Sequence, residues 1–177
     1  KLFINMYREP ELVSSFLDLL TDMLIKWLYA QEDVNGKLQR ISITDHVAGQ
    51  ISREHFEKFY LPYFQRISRE FPEAIKLYHN ESDIYHVLDL IPDLETEIFH
   101  FGIEIKDAKR EIGDYICLMG EVHSQDYLMY ADTDEVYEET RRQRRIGGPG
   151  GGYLLSVRGG FQPGTPKANI DAMVYAK

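Results

Sequence analysis

Short apolar runs alternate with longer amphipathic segments along this chain. Five of the runs are as short and as apolar as strands that are buried on both faces, and they span residues 38–43, 74–78, 96–101, 115–119 and 153–157. Segments with helical periodicity separate these runs. Because strands that alternate with helices form parallel sheets with right-handed crossovers, the pattern predicts an α/β fold with five parallel strands.

The segment before the first run has the periodicity of one long amphipathic helix. It begins at Pro10, which suits the first turn of a helix, and its apolar positions continue to about residue 31. Polar side chains also recur at helical spacing, which marks an amphipathic helix and not a membrane span. The apolar positions are Leu12, Phe16, Leu19, Leu20, Met23, Ile25 and Trp27, and the polar ones are Ser14, Asp18, Asp22 and Lys26.

Several residues predict where other helices begin or bend. Ser52 is a suitable N-cap for a second helix, and Pro62 predicts a kink within it. Asp132 is followed three residues later by Glu135, as in a capping box. Thr165 is expected to cap the last helix.

The composition narrows the class of partner. The 177 residues fall within the range of one domain, and 29 acidic against 20 basic side chains give a net charge of −9. An acidic surface repels phosphate backbones, so we expect no nucleic-acid partner. No apolar stretch reaches the ~20 residues of a membrane span, so we expect no membrane partner. The lone cysteine, Cys117, forms no internal disulfide and favours a cytoplasmic location.

Each predicted strand ends on a polar cluster. In parallel α/β folds the carboxyl ends of the strands share one edge, where ligands bind. We therefore expect the clusters to line one site. They are Thr44-Asp45-His46, His79-Asn80-Glu81, His100, Glu121-Val122-His123 and Ser156-Val157-Arg158.

The number of βα units leaves two architectures open. A complete (β/α)₈ barrel takes ~250 residues, so the chain is either an open five-stranded sheet or the carboxyl part of a barrel. The chain begins at Lys1, directly before a helix. We take this start as favouring a partial barrel.

Segments along nearly the whole chain resemble, in order, motifs of the uroporphyrinogen decarboxylase family. They are Leu2 to Val13, Ile51-Ser-Arg-Glu-His-Phe with Leu61-Pro-Tyr, Leu77-Tyr-His79, Gly120-Glu-Val, Gly151-Gly-Tyr-Leu-Leu-Ser156, and Pro163-Gly-Thr-Pro166 with Asn169. The resemblance implies a TIM (β/α)₈ barrel of which this chain holds the carboxyl-terminal five βα units. It implies a single domain over 1–177, with the amino-terminal strands missing.

The family includes porphyrinogen decarboxylases and zinc-dependent methyltransferases that transfer methyl groups to or from corrinoid cofactors or thiols. The methyltransferase branch carries His-x-Cys after the fifth strand and a distant second Cys, and this chain resembles that branch most. Here His79 is retained, Glu81 stands at the first Cys position and Gly159 at the second. Fold alone does not choose between these chemistries.

The predicted metal ligands are His79, Glu81 and Glu121, with His123 as the alternative to Glu121. His79 and Glu81 are two residues apart in an extended segment, so their side chains can point the same way, and zinc accepts imidazole nitrogen and carboxylate oxygen. The alternative is that these side chains line a pocket without metal. The other site predictions are Asp45 and His100 as catalytic residues and His46, Tyr78, His123 and Arg158 as substrate-binding residues, with Arg158 suited to a carboxylate or phosphate or to an ordinary ion pair.

Three functions remain open at this point. The first is a corrinoid-linked, zinc-dependent methyltransferase that acts on a small methylated substrate, with a corrinoid protein as its partner. The second is a uroporphyrinogen III decarboxylase of tetrapyrrole biosynthesis, a carboxy-lyase that needs no cofactor. The third is a non-catalytic family member. A five-stranded piece of a barrel has open edges, so we also expect self-association or pairing with the missing barrel half.

Overall fold

The computed structural model describes residues 1–176. Its strands are β1 (Arg40–Thr44), β2 (Ile75–Asn80), β3 (Ile98–Phe101), β4 (Cys117–His123) and β5 (Tyr153–Arg158). Its α-helices are α1 (Leu2–Arg8), α2 (Pro10–Asn35), α3 (Arg53–Phe59), α4 (Leu61–Glu70), α5 (Ile105–Ile112), α6 (Thr133–Gly147) and α7 (Lys167–Tyr175). Short 3₁₀ helices occur at Ala48–Gln50, Tyr85–Leu90 and Pro92–Leu94, and a π-helical segment at Ser124–Met129.

The strands form one sheet in which the spatial order equals the order in the chain, β1-β2-β3-β4-β5. β3 and β4 are parallel, with His100 opposite Met119. β4 and β5 are also parallel, with Val122 opposite Val157. Parallel strands alternating with helices confirm the predicted architecture of five βα units from a TIM barrel. Across residues 1–176, none of the helices combines the length and the apolar character needed to cross a bilayer.

The chain divides into two compact units. The first holds residues 1–78 and 84–97, and the second holds residues 79–83 and 98–176. One apolar cluster in the first unit contains Ile41 and Phe71, and one in the second contains Val122 and Leu128. The single domain predicted over 1–177 stays a prediction.

α2 has the predicted periodicity, but much of its apolar surface faces solvent. Within the first unit the helix buries Val13 and Thr21, and Ile25 and Leu28 pack against the Ile41 core. Five other apolar side chains are exposed at helical spacing: Leu12, Phe16, Leu19, Met23 and Trp27. Periodicity identifies the helix, but it does not say which apolar positions meet the rest of the chain.

Most of the predicted helix starts are present. Ser52 caps α3 by accepting a hydrogen bond from the backbone N–H of His55. The predicted kink is a break at Tyr60 between α3 and α4, with Pro62 in the first turn of α4. Thr165 does not cap the last helix: α7 has Pro166 at its N-cap and no side-chain cap, and the Thr165 hydroxyl donates to the carbonyl oxygen of Gln162 at 2.7 Å.

The capping box at the start of α6 gives a stability prediction. The Asp132 carboxylate accepts hydrogen bonds from the backbone N–H groups of Asp134 and Glu135, and the Glu135 side chain accepts from the N–H of Asp132. Asp132→Ala should lower the free energy of unfolding by about 1 kcal/mol, measured by urea denaturation. Thr133→Ala, one residue further on, is the matched control. Equal stability of the two variants would contradict the capping role.

Candidate functional site

Two imidazoles and one carboxylate meet within the second unit. His79 is near the end of β2, Glu81 follows that strand, and His100 is in β3. The Nδ1 atoms of His79 and His100 are 2.8 Å apart, and Nε2 of His100 is 3.8 Å from Oε1 of Glu81. One ligand atom from each residue can be chosen so that all three atoms lie within 4.8 Å of one another. The group is therefore compact enough to be a metal site.

A backbone carbonyl sets the orientation of His100. Its Nε2 is 2.9 Å from the carbonyl oxygen of Val157 in β5. A carbonyl only accepts hydrogen bonds, so Nε2 carries the proton. When both rings are neutral, Nδ1 of His100 then accepts the proton on Nδ1 of His79. The two rings are thus held in defined tautomers, and Nε2 of His79 carries a lone pair.

Glu81 is fixed by its neighbours on both sides. Its carboxylate accepts a hydrogen bond from the backbone N–H of Gly159, and its backbone carbonyl accepts one from Nη2 of Arg158 at 3.2 Å. Gly102 passes so close that a Cβ on it would lie 2.4 Å from the carbonyl oxygen of Glu81. Gly159 has φ +73°, a left-handed conformation that favours glycine. Two glycines therefore permit this placement of Glu81.

Glu121 forms a second pair with Arg158. Its Oε2 lies 3.7 Å from Nη1 of Arg158, which is within ion-pair range but too long for a hydrogen bond. That oxygen is buried and has no hydrogen-bond partner. Burial raises the pKa of the Glu121 carboxyl to about 7, and the positive charge of Arg158 only partly opposes this. The carboxyl therefore changes its charge near neutral pH.

The compact group differs from the predicted ligand set. His100, predicted as catalytic, joins His79 and Glu81 in place of Glu121, which pairs with Arg158. The ion-pair alternative for Arg158 is thus present in the structure. His123 interacts locally, since its Nδ1 accepts a hydrogen bond from the backbone N–H of Asp126 at 3.3 Å. The roles assigned to these residues stay predictions.

The remaining site predictions belong to the first unit. The Asp45 carboxylate accepts hydrogen bonds from the backbone N–H groups of Val47 at 2.7 Å and Ala48 at 3.1 Å. The hydroxyl of Tyr78, which is fully buried, donates to Asp45 at 3.4 Å. The backbone carbonyl of His46 accepts from the Gln50 side chain. Asp45 thus caps the turn after β1, and its catalytic role stays a prediction.

Sequence reasoning missed several groups that shape the site. The carbonyl of Val157 has no signal in the sequence, because every residue has one. Gly159 stood out only as the place of a missing cysteine, and Gly102 gave no signal beyond a glycine after a strand. The π-helical segment that follows β4 was not predicted.

The donor set fits zinc by its chemistry. Catalytic zinc is commonly held by three protein ligands drawn from His and acidic residues, which leaves a fourth position for water or substrate. Zinc–nitrogen bonds of 2.0–2.1 Å set tetrahedral nitrogen ligands roughly 3.3 Å apart. Zinc held by both Nδ1 atoms would therefore require His79 to lose its Nδ1 proton and the two rings to separate by about half an ångström. The family-implied metal therefore suits the residues present.

Known proteins are similar to this chain in sequence and in fold. The family model described as uroporphyrinogen decarboxylase (URO-D) matches residues 1–177. Two proteins named uroporphyrinogen decarboxylase, from Chlorobium luteolum and Trichodesmium erythraeum, are each 25% identical to this chain. The first alignment covers 96% of this chain and 49% of the relative, and the second covers 92% and 46%. A methyltransferase from Methanosarcina mazei superposes with a TM-score of 0.83 at 22% identity, over 99% of this chain and 51% of that one. The chain spans about half the length of the curated relatives.

The buried carboxyl of Glu121 predicts a pH-dependent stability. Its pKa rises from 4.5 to about 7 on folding, so the neutral form stabilises the fold at low pH and that contribution is lost as the pH rises through 7. Glu121→Gln, which stays neutral, should be more stable than the parent by up to about 3 kcal/mol at pH 8, and the difference should shrink at pH 5. Urea denaturation at both pH values measures it.

Glu138→Gln, at an exposed carboxyl on α6, is the matched control and should leave the pH profile unchanged. A Glu121→Gln effect of the same size at both pH values would contradict the raised pKa.

Proposed function

Because this chain belongs to the uroporphyrinogen decarboxylase family, we propose that it supplies the metal-binding half of a zinc-dependent methyltransferase. The observation that carries the proposal is the group of His79, Glu81 and His100, whose ligand atoms lie within 4.8 Å. The substrate would be a small methylated compound and the methyl acceptor a corrinoid carried by a partner protein, as the resemblance implies. The fold shared with the Methanosarcina mazei methyltransferase is compatible with this reading.

The ligand chemistry bears on the class of substrate. When bound, zinc supplies Lewis-acid polarisation of the heteroatom that carries the methyl group. Two imidazoles and a carboxylate are harder ligands than thiolates, and they favour oxygen or nitrogen over sulfur in the remaining position. Methyl ethers and methylamines therefore suit this donor set better than thiols.

The residues around the ligands hold them in place before a metal binds. The Val157 carbonyl orients the His100 ring, and the Gly159 N–H holds the Glu81 carboxylate. Such hydrogen bonds to the ligands raise metal affinity, because the ligands lose less freedom on binding. Arg158 contacts the Glu81 backbone and the Glu121 carboxyl, so it can attract an anionic group while the Glu121 carboxyl is protonated. His123, in the same unit, is proposed to contact the substrate.

A second function is favoured by the relatives' names. Curated relatives from several bacteria are named uroporphyrinogen decarboxylase. Its substrate carries many carboxylates, so its pocket needs several cationic side chains, and Arg158 is the cation that this chain offers at a predicted strand end. In that reading the compact group lines the pocket without metal. In a non-catalytic family member the group of His79, Glu81 and His100 would neither bind a catalytic metal nor line a substrate pocket.

Zinc binding tests the proposal directly. His79→Ala, Glu81→Ala and His100→Ala should each weaken zinc binding by more than tenfold, since each removes one of three ligands. Chelator competition and elemental analysis of the purified protein measure the affinity and the zinc content. His123→Ala is the matched control, because it removes an imidazole outside the compact group. Unchanged zinc affinity in all three variants would refute the assignment.

Activity separates the two enzymes. Methyl transfer to cobalamin changes its visible spectrum, whereas decarboxylation of uroporphyrinogen III releases carbon dioxide with no metal required. Cobalamin methylation that is lost in Glu81→Ala supports the methyltransferase. Metal-independent release of carbon dioxide would contradict it.

A further inference from the structure

Gly159 leaves a small space beside the Glu81 carboxylate that no side chain fills. A Cβ on Gly159 would lie 3.6 Å from Oε2 of Glu81 and 3.8 Å from Oγ of Ser124, and both are ordinary van der Waals distances. Apart from residues 158–160, no other atom of residues 1–176 comes within 4 Å of that point. We call this space the Gly159 cradle. Two oxygens from different parts of the second unit therefore border it.

Both oxygens lack a hydrogen-bond partner. The hydrogen bond from the Gly159 N–H goes to Oε1 of Glu81, and within residues 1–176 neither Oε2 of Glu81 nor Oγ of Ser124 has a partner of its own. Ser124 is only 6% exposed, and the Glu81 side chain is 18% exposed. Polar atoms that are largely removed from water gain stability when a ligand supplies the missing hydrogen bonds.

Packing fixes the position of Ser124. It is the first residue of the π-helical segment that directly follows β4. Asn169 of α7, which is buried, donates from Nδ2 to the carbonyl oxygens of Leu128 at 3.1 Å and Ala131 at 2.8 Å. Leu128 itself is fully buried in the apolar cluster of the second unit. The segment is thus held by β4 at one end and by α7 at the other.

We propose that the Gly159 cradle binds the nitrogen of a methylamine substrate, whose N–H groups donate to Oγ of Ser124 and Oε2 of Glu81. A carboxylate only accepts hydrogen bonds and a serine hydroxyl can accept them, so this pair selects a ligand that brings donors. A methyl ether has no donor and would leave Oε2 of Glu81 unpaired. The assignment rests on the proposed function, and it narrows the substrate class there from methyl ethers and methylamines to mono- and dimethylamine.

The two oxygens of Glu81 can serve different ligands. Oε1 lies 3.8 Å from Nε2 of His100, on the side of the compact group, whereas Oε2 borders the cradle. Zinc needs a single carboxylate oxygen. A metal held through Oε1 therefore leaves Oε2 for an amine.

Charge favours the same ligand. Alkylamines are cations at neutral pH, and the chain carries a net charge of −9, which attracts cations. Arg158 is the cation beside Glu81, where it donates to the backbone carbonyl at 3.2 Å. Its own charge is opposed by Glu121, 3.7 Å away. The Glu81 carboxylate thus remains available to a cationic amine.

NMR titration of the metal-free 177-residue chain with methylammonium chloride at pH 8 tests the proposal. The parent should bind methylammonium about tenfold more tightly than tetramethylammonium, which has the same charge but no N–H group. The amide signals of Gly159 and Ser124 should shift on binding. Ser124→Ala removes one acceptor and should reduce the preference several-fold.

Two glycine variants locate the binding site. Gly159→Ala puts a methyl group into the cradle and should abolish the preference for methylammonium. Gly164→Ala is the matched control, because Gly164 has a similar left-handed φ of +88° and its Cβ would meet only Cε of Met129, at 3.7 Å. It carries the same backbone strain but leaves the cradle open, so it should bind like the parent.

Equal affinity of the parent for the two cations overturns the proposal, and so does binding of neither. A preference that Gly159→Ala leaves unchanged also overturns it. Zinc affinity separates this failure from failure of the proposed function, since Ser124→Ala removes no metal ligand and should keep the zinc affinity of the parent. A chain that binds zinc but shows no preference for methylammonium contradicts the cradle alone. A chain that shows the preference without binding zinc contradicts the methyltransferase alone.

Discussion

The candidate site depends on the hydrogen bond between the His100 ring and the carbonyl oxygen of Val157. This bond sets which nitrogen of His100 carries a proton, and through the 2.8 Å contact it sets the tautomer of His79. The parallel pairing of β3, β4 and β5 brings a β5 carbonyl close to a β3 side chain. The imidazoles are therefore oriented by the pairing of the strands. A shift of one residue in the register of β5 would replace the Val157 carbonyl with the carbonyl of a neighbouring residue, which points the other way.

Backbone groups also hold Glu81 in place. The Gly159 N–H holds the Glu81 carboxylate, and Gly102 lies against the Glu81 backbone. Arg158 then links the Glu81 backbone to the Glu121 carboxyl. Burial raises the pKa of the Glu121 carboxyl to about 7. A fixed ligand beside a group that titrates near neutral pH suits a site that binds a cation and also exchanges a proton.

Much of the fold could be predicted because its signals are local. Apolar runs of strand length, Ser52, and Asp132 with Glu135 each act on their own neighbours, and the structure has strands or caps at those places. Which apolar positions of α2 face solvent could not be predicted, since it depends on the long-range packing of Ile25 and Leu28 against the Ile41 cluster. The H-x-E pair of His79 and Glu81 was visible from spacing. Glu121 and His123 have the same spacing, but Glu121 pairs with Arg158 and His123 accepts a hydrogen bond from the backbone N–H of Asp126.

The central claim is that His79, Glu81 and His100 form one metal site, and a crystal structure of zinc-loaded protein with anomalous data at the zinc edge tests it most directly. The account predicts a single strong peak about 2.0–2.1 Å from one nitrogen of each imidazole and about 2.0–2.2 Å from a Glu81 oxygen. A site that stays without a peak at saturating zinc, or a peak bound elsewhere while the two rings keep their mutual hydrogen bond, would contradict it.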